Sequence, residues 1–306
     1  MHFRGDREPP SLIARRELPF TCERAGLYTA AMRKLNYSVV DVFTERAFEG
    51  NPLAVFTLSQ PVPAPVMQRI AREMNLSETA FVCPTGARAT ASLRIFTPKS
   101  EVPFAGHPVV GSAYVIGRSA PIGLIRFETG VGPIEVIIER EGGFVSRCVM
   151  TQPTPEYRDV EVDRELLREA LGVDARGPLR EGANGPKFLL VQVDDVDAVT
   201  PDMRAIEKLS WPVAVYERPR ERTVRQRLFA PAFGVPEDPV TGSLAGVVAQ
   251  RLLLDGMIDE GDLTISQGSH VGRPGSVWTH VTRSGDPHVG GSCVSVARGT
   301  VEVPFY

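Results

Sequence analysis

Hydrophobic positions along this chain fall into short β-branched runs separated by isolated helical stretches. From Tyr37 onward, strands are expected at 37–43, 53–58, 79–83, 91–96, 122–128, 133–140 and 144–150. Between the second and third lies 64–74, where Val66, Met67, Ile70 and Met74 recur at helical spacing. Pro153 and Pro155 reset the pattern. A helix at 163–171 follows, then strands at 187–193, 213–217 and 224–229, a helix at 240–254, and closing strands near 262–266, 276–282 and 292–297. Many strands with a few single helices predict an α+β fold with strongly curved sheets, not a doubly wound parallel sheet.

An internal repeat organises these elements. Arg94-Ile95-Phe96-Thr97-Pro98 returns as Arg227-Leu228-Phe229-Ala230-Pro231, and Val102-Pro103 returns as Val235-Pro236. His107-Pro108-Val109-Val110-Gly111-Ser112-Ala113 then matches Asp238-Pro239-Val240-Thr241-Gly242-Ser243-Leu244. Such an ordered series predicts a duplicated unit of strand, loop and helix. Both repeated helices are apolar nearly all round, and a helix without a polar face must be enclosed by protein. Gly111, Gly242 and Gly246 keep them thin where strands pass. The expected architecture is two pseudo-symmetric domains, 32–152 and 153–292, each a rolled, mostly antiparallel sheet around a central buried helix. The last strand, within 293–306, is available to complete the first domain.

Composition narrows the function. A net charge of −3 over 306 residues argues against nucleic acid and anionic membrane as partners, since both require a positive surface. No run approaches the roughly 18 apolar residues of a membrane span. Cys22, Cys83, Cys148 and Cys293 are far apart, without a C-x-x-C or a His at ligand spacing. They form neither a readable disulfide framework nor a zinc site, and a reducing cytoplasm is the expected location. Residues 1–36 carry seven Lys/Arg against four Asp/Glu and no apolar core of a secretory signal. Residues 1–31 are expected to be a tail outside a fold that opens near Met32.

Candidate chemistry gathers at three places. Glu78, in Asn75-Leu76-Ser77-Glu78-Thr79-Ala80-Phe81, enters an apolar strand straight after a helix. Burial there would raise its pKa and suit it to proton transfer near neutrality, whereas a solvated strand-start Glu would do nothing. His107 and Asp238 stand at the two repeated helix starts. Asp238-Pro239 reads equally well as a helix cap, but His is a poor cap. Whether each helix begins at His107 or Asp238, or several residues later, is open in the sequence. Either way the flanking Gly106, Gly242 and Ser243 leave backbone N–H groups for an anion. The polar loop Ser266–Gly275 would line the site or merely turn the chain. Phosphate-loop, dinucleotide, serine-hydrolase and metalloprotease motifs are all absent, so no metal or nucleotide is implied.

These residues carry a resemblance. Asn75–Phe81, Phe104-Ala105-Gly106-His107-Pro108, Glu237–Ser243 and Gln267-Gly268…Gly272-Arg273-Pro274 resemble the phenazine-biosynthesis PhzF-like family. Asp41-Val42-Phe43-Thr44 and Gly50–Val55 fit it as well, and the likeness runs from about Met32 to the C-terminus. It implies the diaminopimelate epimerase-like fold, a cleft between the two domains and a homodimer. It implies a cofactor-independent isomerase that moves a proton on a small carboxylate-bearing substrate, as in dihydro-hydroxyanthranilate isomerisation. Glu78 matches the acid/base carboxylate. Gly106, His107, Asp238, Gly242 and Ser243 match positions lining the substrate pocket. A racemase of the same fold would instead need one Cys at each repeated helix start, where this chain has none. A non-catalytic small-molecule-binding relative is the alternative outside enzymes.

Overall fold

The computed structural model describes residues 32–85 and 90–304, so the expected tail at 1–31 lies outside the described residues. The first half runs β1 (Met32–Val42), β2 (Asn51–Thr57), α1 (Ala64–Met74), β3 (Glu78–Cys83), β4 (Ala91–Phe96) and β5 (Glu101–Val102). It continues through α2 (Gly106–Ser119), β6 (Leu124–Thr129), β7 (Gly132–Glu141) and β8 (Phe144–Thr151). The second half runs β9 (Glu156–Asp159), α3 (Arg164–Leu171), β10 (Arg176–Ala183), β11 (Lys187–Gln192), α4 (Met203–Glu207), β12 (Val213–Tyr216) and β13 (Thr223–Ala230). β14 (Val235–Asp238), α5 (Gly242–Leu254), β15 (Gly261–Gln267), β16 (Gly275–Val281), β17 (His288–Gly291) and β18 (Cys293–Pro304) complete it.

Strand pairing displays the duplication. The first half is laddered β18-β1-β2-β3-β4-β6-β7-β8, and the second β9-β10-β11-β12-β13-β15-β16-β17. The sense agrees at every step: antiparallel twice, then parallel, antiparallel, parallel and antiparallel twice. An antiparallel β8–β17 ladder joins the halves. The chain enters each half through the other's last strand, since β9 follows β8 whereas β18 returns to pair β1 from Met32↔Pro304 to Val42↔Cys293. The repeated Arg makes the same bond twice. Arg94 clasps Glu101 across the β4–β5 hairpin, and Arg227 clasps Glu237 across β13–β14, each through two nitrogens of its guanidinium.

Helices α2 and α5 lie inside their sheets, buried along nearly their whole length, and share one core. A Cβ on Gly111 would meet Leu53 and Val42 side chains at 2.6 and 2.8 Å, so only glycine lets β1 and β2 pass this close to α2. Outside the rolls, α1 packs Val66, Met67, Ile70 and Ala71 on the first sheet, and α3 and α4 cover the second.

Two sequence expectations need correction, and one question the sequence leaves open is answered. β1 begins at Met32 rather than 37 and β18 runs on to 304, because each supplies the hydrogen-bonding edge the other's polar end lacks. β5, β9, β14 and β17, of two to four residues, were not expected from the pattern, nor were β10, which carries two glycines and a proline, and α4. The two repeated helices also start in different registers. α2 begins at Gly106, so His107 sits in its first turn, whereas Asp238 ends a strand and α5 begins only at Gly242.

Candidate active site

Parallel strands β2 and β3, linked through α1, start at the same end of the first half, with Leu53 opposite Glu78. That crossover places Asn51 and Glu78, which open the two strands, next to each other. From the second half, β14 brings Asp238 to the same place and α5 starts there. The two central helices meet head to head. A Cβ on Gly106 would lie 2.7 Å from the Gly242 carbonyl carbon, so glycine at the first position of α2 is a condition of the contact.

Asn51, fully buried, ties the halves together. Its Nδ2 donates to Asp238 Oδ1 at 3.0 Å and to the Val240 carbonyl at 2.8 Å, and lies 3.2 Å from His107 Nδ1. A carboxylate and a carbonyl accept only, so the amide nitrogen must face this cluster. His107 Nδ1 therefore meets a donor, which leaves the proton of a neutral ring on Nε2. That Nε2 stands 3.5 Å from Glu78 Oε2, and neither atom has a hydrogen-bond partner. Asp238 is better served: Thr241 Oγ1 donates to its Oδ2 at 2.5 Å, and Gln267 Nε2 donates to its carbonyl at 2.8 Å.

Electrostatics separates the three titratable groups. Burial pushes the Glu78 carboxyl well above the usual range, and the nearby Asp238 charge pushes it further. Burial also raises Asp238, but hydrogen bonds from Thr241, Asn51 and Ser77 work against the rise. Burial drives His107 down to about 3, so its ring is neutral at physiological pH. Both acids are raised by burial, but only Asp238 has hydrogen-bond donors that oppose the rise. A solvated strand-start Glu is thus excluded: the Glu78 side chain is 18% exposed.

A cavity of about 410 Å³ opens beside these groups between the two halves. Glu78, Asp238, Thr241 and Ser243 supply its polar end, and Phe104, Phe188, Trp211 and Leu228 are among its apolar walls. Of the residues expected from sequence, Glu78, Asp238 and Ser243 line it. His107 stands behind Glu78, Gly106 lies against the first turn of α5, and a Cβ on Gly242 would strike the Phe43 ring. Neither α2 nor α5 has a side-chain N-cap, so Asp238 is not a cap of α5. The first turn of α5 is held from behind. Gln152 Nε2 donates to the Gly242 carbonyl at 2.9 Å, and Asn184 Nδ2 to the Ser243 carbonyl at 2.9 Å.

The loop Ser266–Gly275 braces the site without lining this cavity. Gln267 lies under the Asp238–Thr241 turn, receiving the Thr241 N–H on Oε1 at 3.1 Å. Arg273 reaches across to Asp41 at 2.6 Å and to the Gly50 carbonyl at 2.8 Å. Sequence reasoning quoted Asn51 and Gln267 within motifs but gave neither a role. Their signal is faint, a lone amide beside Gly or Pro. Cys83, Cys148 and Cys293 are free thiols, and none lines the cavity.

Comparison with known proteins adds to this geometry. The phenazine biosynthesis-like protein family, PhzC-PhzF, matches residues 40–299. The chain is 38% identical over 275 residues to the trans-2,3-dihydro-3-hydroxyanthranilate isomerase of Pseudomonas fluorescens, covering 87% of this chain and 99% of that protein. A PhzF-family phenazine biosynthesis protein of Bacillus anthracis shares the fold, with a TM-score of 0.76 at 24% identity over 88% of this chain and 99% of that one. A Pseudomonas aeruginosa protein described as a predicted epimerase superposes with a TM-score of 0.75 at 28% identity, covering 87% and 99% of the two chains.

Proposed function

The chain belongs to the phenazine biosynthesis-like PhzC-PhzF family of isomerases, and from that membership we propose that Glu78 moves a proton between two carbons of a ring carboxylate of the trans-2,3-dihydro-3-hydroxyanthranilate type. The observation that carries this reading is the unpaired Glu78 Oε2, buried at the polar end of the cavity with a raised pKa. As carboxylate, Glu78 takes a proton from one ring carbon. As carboxylic acid, it returns that proton to a second carbon, so the formula is unchanged and the residue regenerated. A raised pKa serves both halves of the cycle, because the base is stronger and the acid persists nearer neutrality.

The neutral His107 presents Nε2–H to Glu78 and stabilises its ionised form without competing for the proton. Asp238, held by donors from Thr241 and Asn51, receives the hydroxyl or amino group of the substrate. The uncapped first turn of α5, with the Gly242 and Ser243 N–H groups, holds the carboxylate at the positive end of the helix. Residues 32–152 with the returning β18, and residues 153–292, act as two domains enclosing the substrate. The ladder order supports that division. The enzyme works as a homodimer in the cytoplasm. Free thiols support the location, and the exposed cross-strand pair Leu124–Ile137 supports a second copy as partner. Among the described residues no helix is long and apolar enough to cross a membrane.

The test is exchange of solvent deuterium into trans-2,3-dihydro-3-hydroxyanthranilate, followed with the wild-type chain and Glu78→Gln. Gln keeps the shape but accepts no proton, so exchange and turnover should fall at least ~100-fold. Near-wild-type exchange in the variant would pass the proton to another group and sink the assignment.

A further inference from the structure

We propose that the substrate of this site carries an apolar substituent on the reacting ring, and that Phe233 and Trp211 form the subsite that receives it. The inference rests on the functional reading above and extends it to substrate class.

Three observations support it. The first is size. The dihydro-hydroxyanthranilate ring is a single six-membered ring with a carboxylate, an amine and a hydroxyl. A cavity of about 410 Å³ falls instead in the range of roughly 300–1,000 Å³ that encloses drug-sized ligands. Nor is the volume that of halves standing apart. Lys99 Nζ of the first half donates to the Ala232 carbonyl of the second at 2.9 Å, and Gly185 lies against Val131 and Phe104.

The second is the distribution of polarity. Glu78, Asp238, Thr241 and Ser243 already account for every polar group the ring needs. Away from them, the second half contributes Phe188, Trp211, Pro212, Leu228 and Phe233. Among the described residues, Lys187 is the single cation lining the cavity, and its ammonium is 3.5 Å from Glu181. Among these residues the outer lobe therefore offers apolar contact and no unpaired cation for an acidic group.

The third is how the two aromatic side chains are held. Phe233 is 46% exposed in the turn between β13 and β14, at the place where the first copy of the repeat has Ser100. A phenyl group half in water on a cavity wall leaves much of its apolar surface uncovered in the free protein, and gains contact when a ligand covers it. Trp211 is oriented from behind, with Nε1 donating to Glu181 Oε2 at 2.8 Å, and Glu181 is itself clasped by Arg158. The indole is thus fixed before anything binds, which lowers the ordering cost for a ligand.

The experiment compares 3-hydroxyanthranilate with its 4-, 5- and 6-phenyl derivatives by calorimetric titration of the full chain. Covering a phenyl substituent should tighten binding about ten-fold or more for at least one isomer. Phe233→Ala should bring the ratio of the two dissociation constants toward one, and Phe233→Leu, which restores an apolar group, should preserve most of it. If the parent ring binds and no derivative binds more tightly, or the preference survives Phe233→Ala, the subsite is overturned while the functional reading stands. If neither the parent ring nor any derivative binds, the functional reading fails and takes the subsite with it.

Discussion

His107 and Asp238 occupy equivalent positions in the two copies of the repeat, and both lie against one amide nitrogen, Asn51 Nδ2, at 3.2 and 3.0 Å. A duplicated fold brings its two helix starts together about a pseudo-two-fold axis. The side chains there have diverged into a neutral ring and a carboxylate. That divergence gives the cavity two unlike sides, with Glu78 and Asp238 both at its polar end.

Because the folded state holds a proton on Glu78 that the unfolded chain releases above its ordinary value of 4.5, stability falls as pH rises through that window. Gln at this position titrates in neither state. The melting temperatures of wild type and Glu78→Gln should coincide near pH 4 and diverge above it, with the variant the more stable at pH 7. A variant less stable than wild type at neutrality would contradict the raised pKa.

His107 contributes with the opposite sign. Its folded pKa of about 3 lies below the ordinary 6.5, so the unfolded chain takes up a proton first as the medium is acidified. Stability due to this residue is complete above 6.5 and lost between 6.5 and 3. Urea midpoints of the wild type should therefore decline more steeply over that interval than those of His107→Gln.

Removing the shared amide should cost more than either of its contacts. Asn51→Leu leaves Asp238 Oδ1 and the Val240 carbonyl without the donor that joins the halves. A loss of about 1–3 kcal/mol in unfolding free energy is expected for the buried acceptors, read by denaturant titration. Activity should drop in parallel, since Asp238 loses one of the bonds that favour its anion.

Gly106→Ala tests the head-to-head contact. The new methyl meets backbone of the opposing helix, which has no side chain to swing away. Overpacking of this kind costs about 1–3 kcal/mol. Because it pushes apart the two helix starts that frame the site, kcat/KM should fall more than ten-fold. Retained stability and activity together would show that the helices can separate freely.

Much of this fold is legible in the chain. α1 declares itself by Val66, Met67 and Ile70 on one face, and α2 and α5 by having no polar face at all. The doubled Arg-x-Phe-x-Pro series announces two like halves before any coordinates. Glu78 is legible as a carboxylate entering an apolar strand. Short strands such as β5 and β14 are not, because two to four residues hold no measurable period and form only against a partner.

The sequence by itself determined the two enclosed helices, the repeat, the curved-sheet class and the residue types at each helix start, because local spacing and burial depend on neighbours a few positions away. Only the tertiary structure decided which register each repeated helix adopts, since α5 starts five repeat positions later than α2 and frees Asp238 from the role of a cap. It alone decided that β18 returns to β1 and that Asn51 sits between His107 and Asp238, 56 and 187 residues away. Such contacts are set by how two rolled sheets close on one another. The raised pKa of Glu78, and the donors that oppose the rise at Asp238, follow from the same closure, because desolvation and the count of donors around a carboxylate exist only after the halves have met.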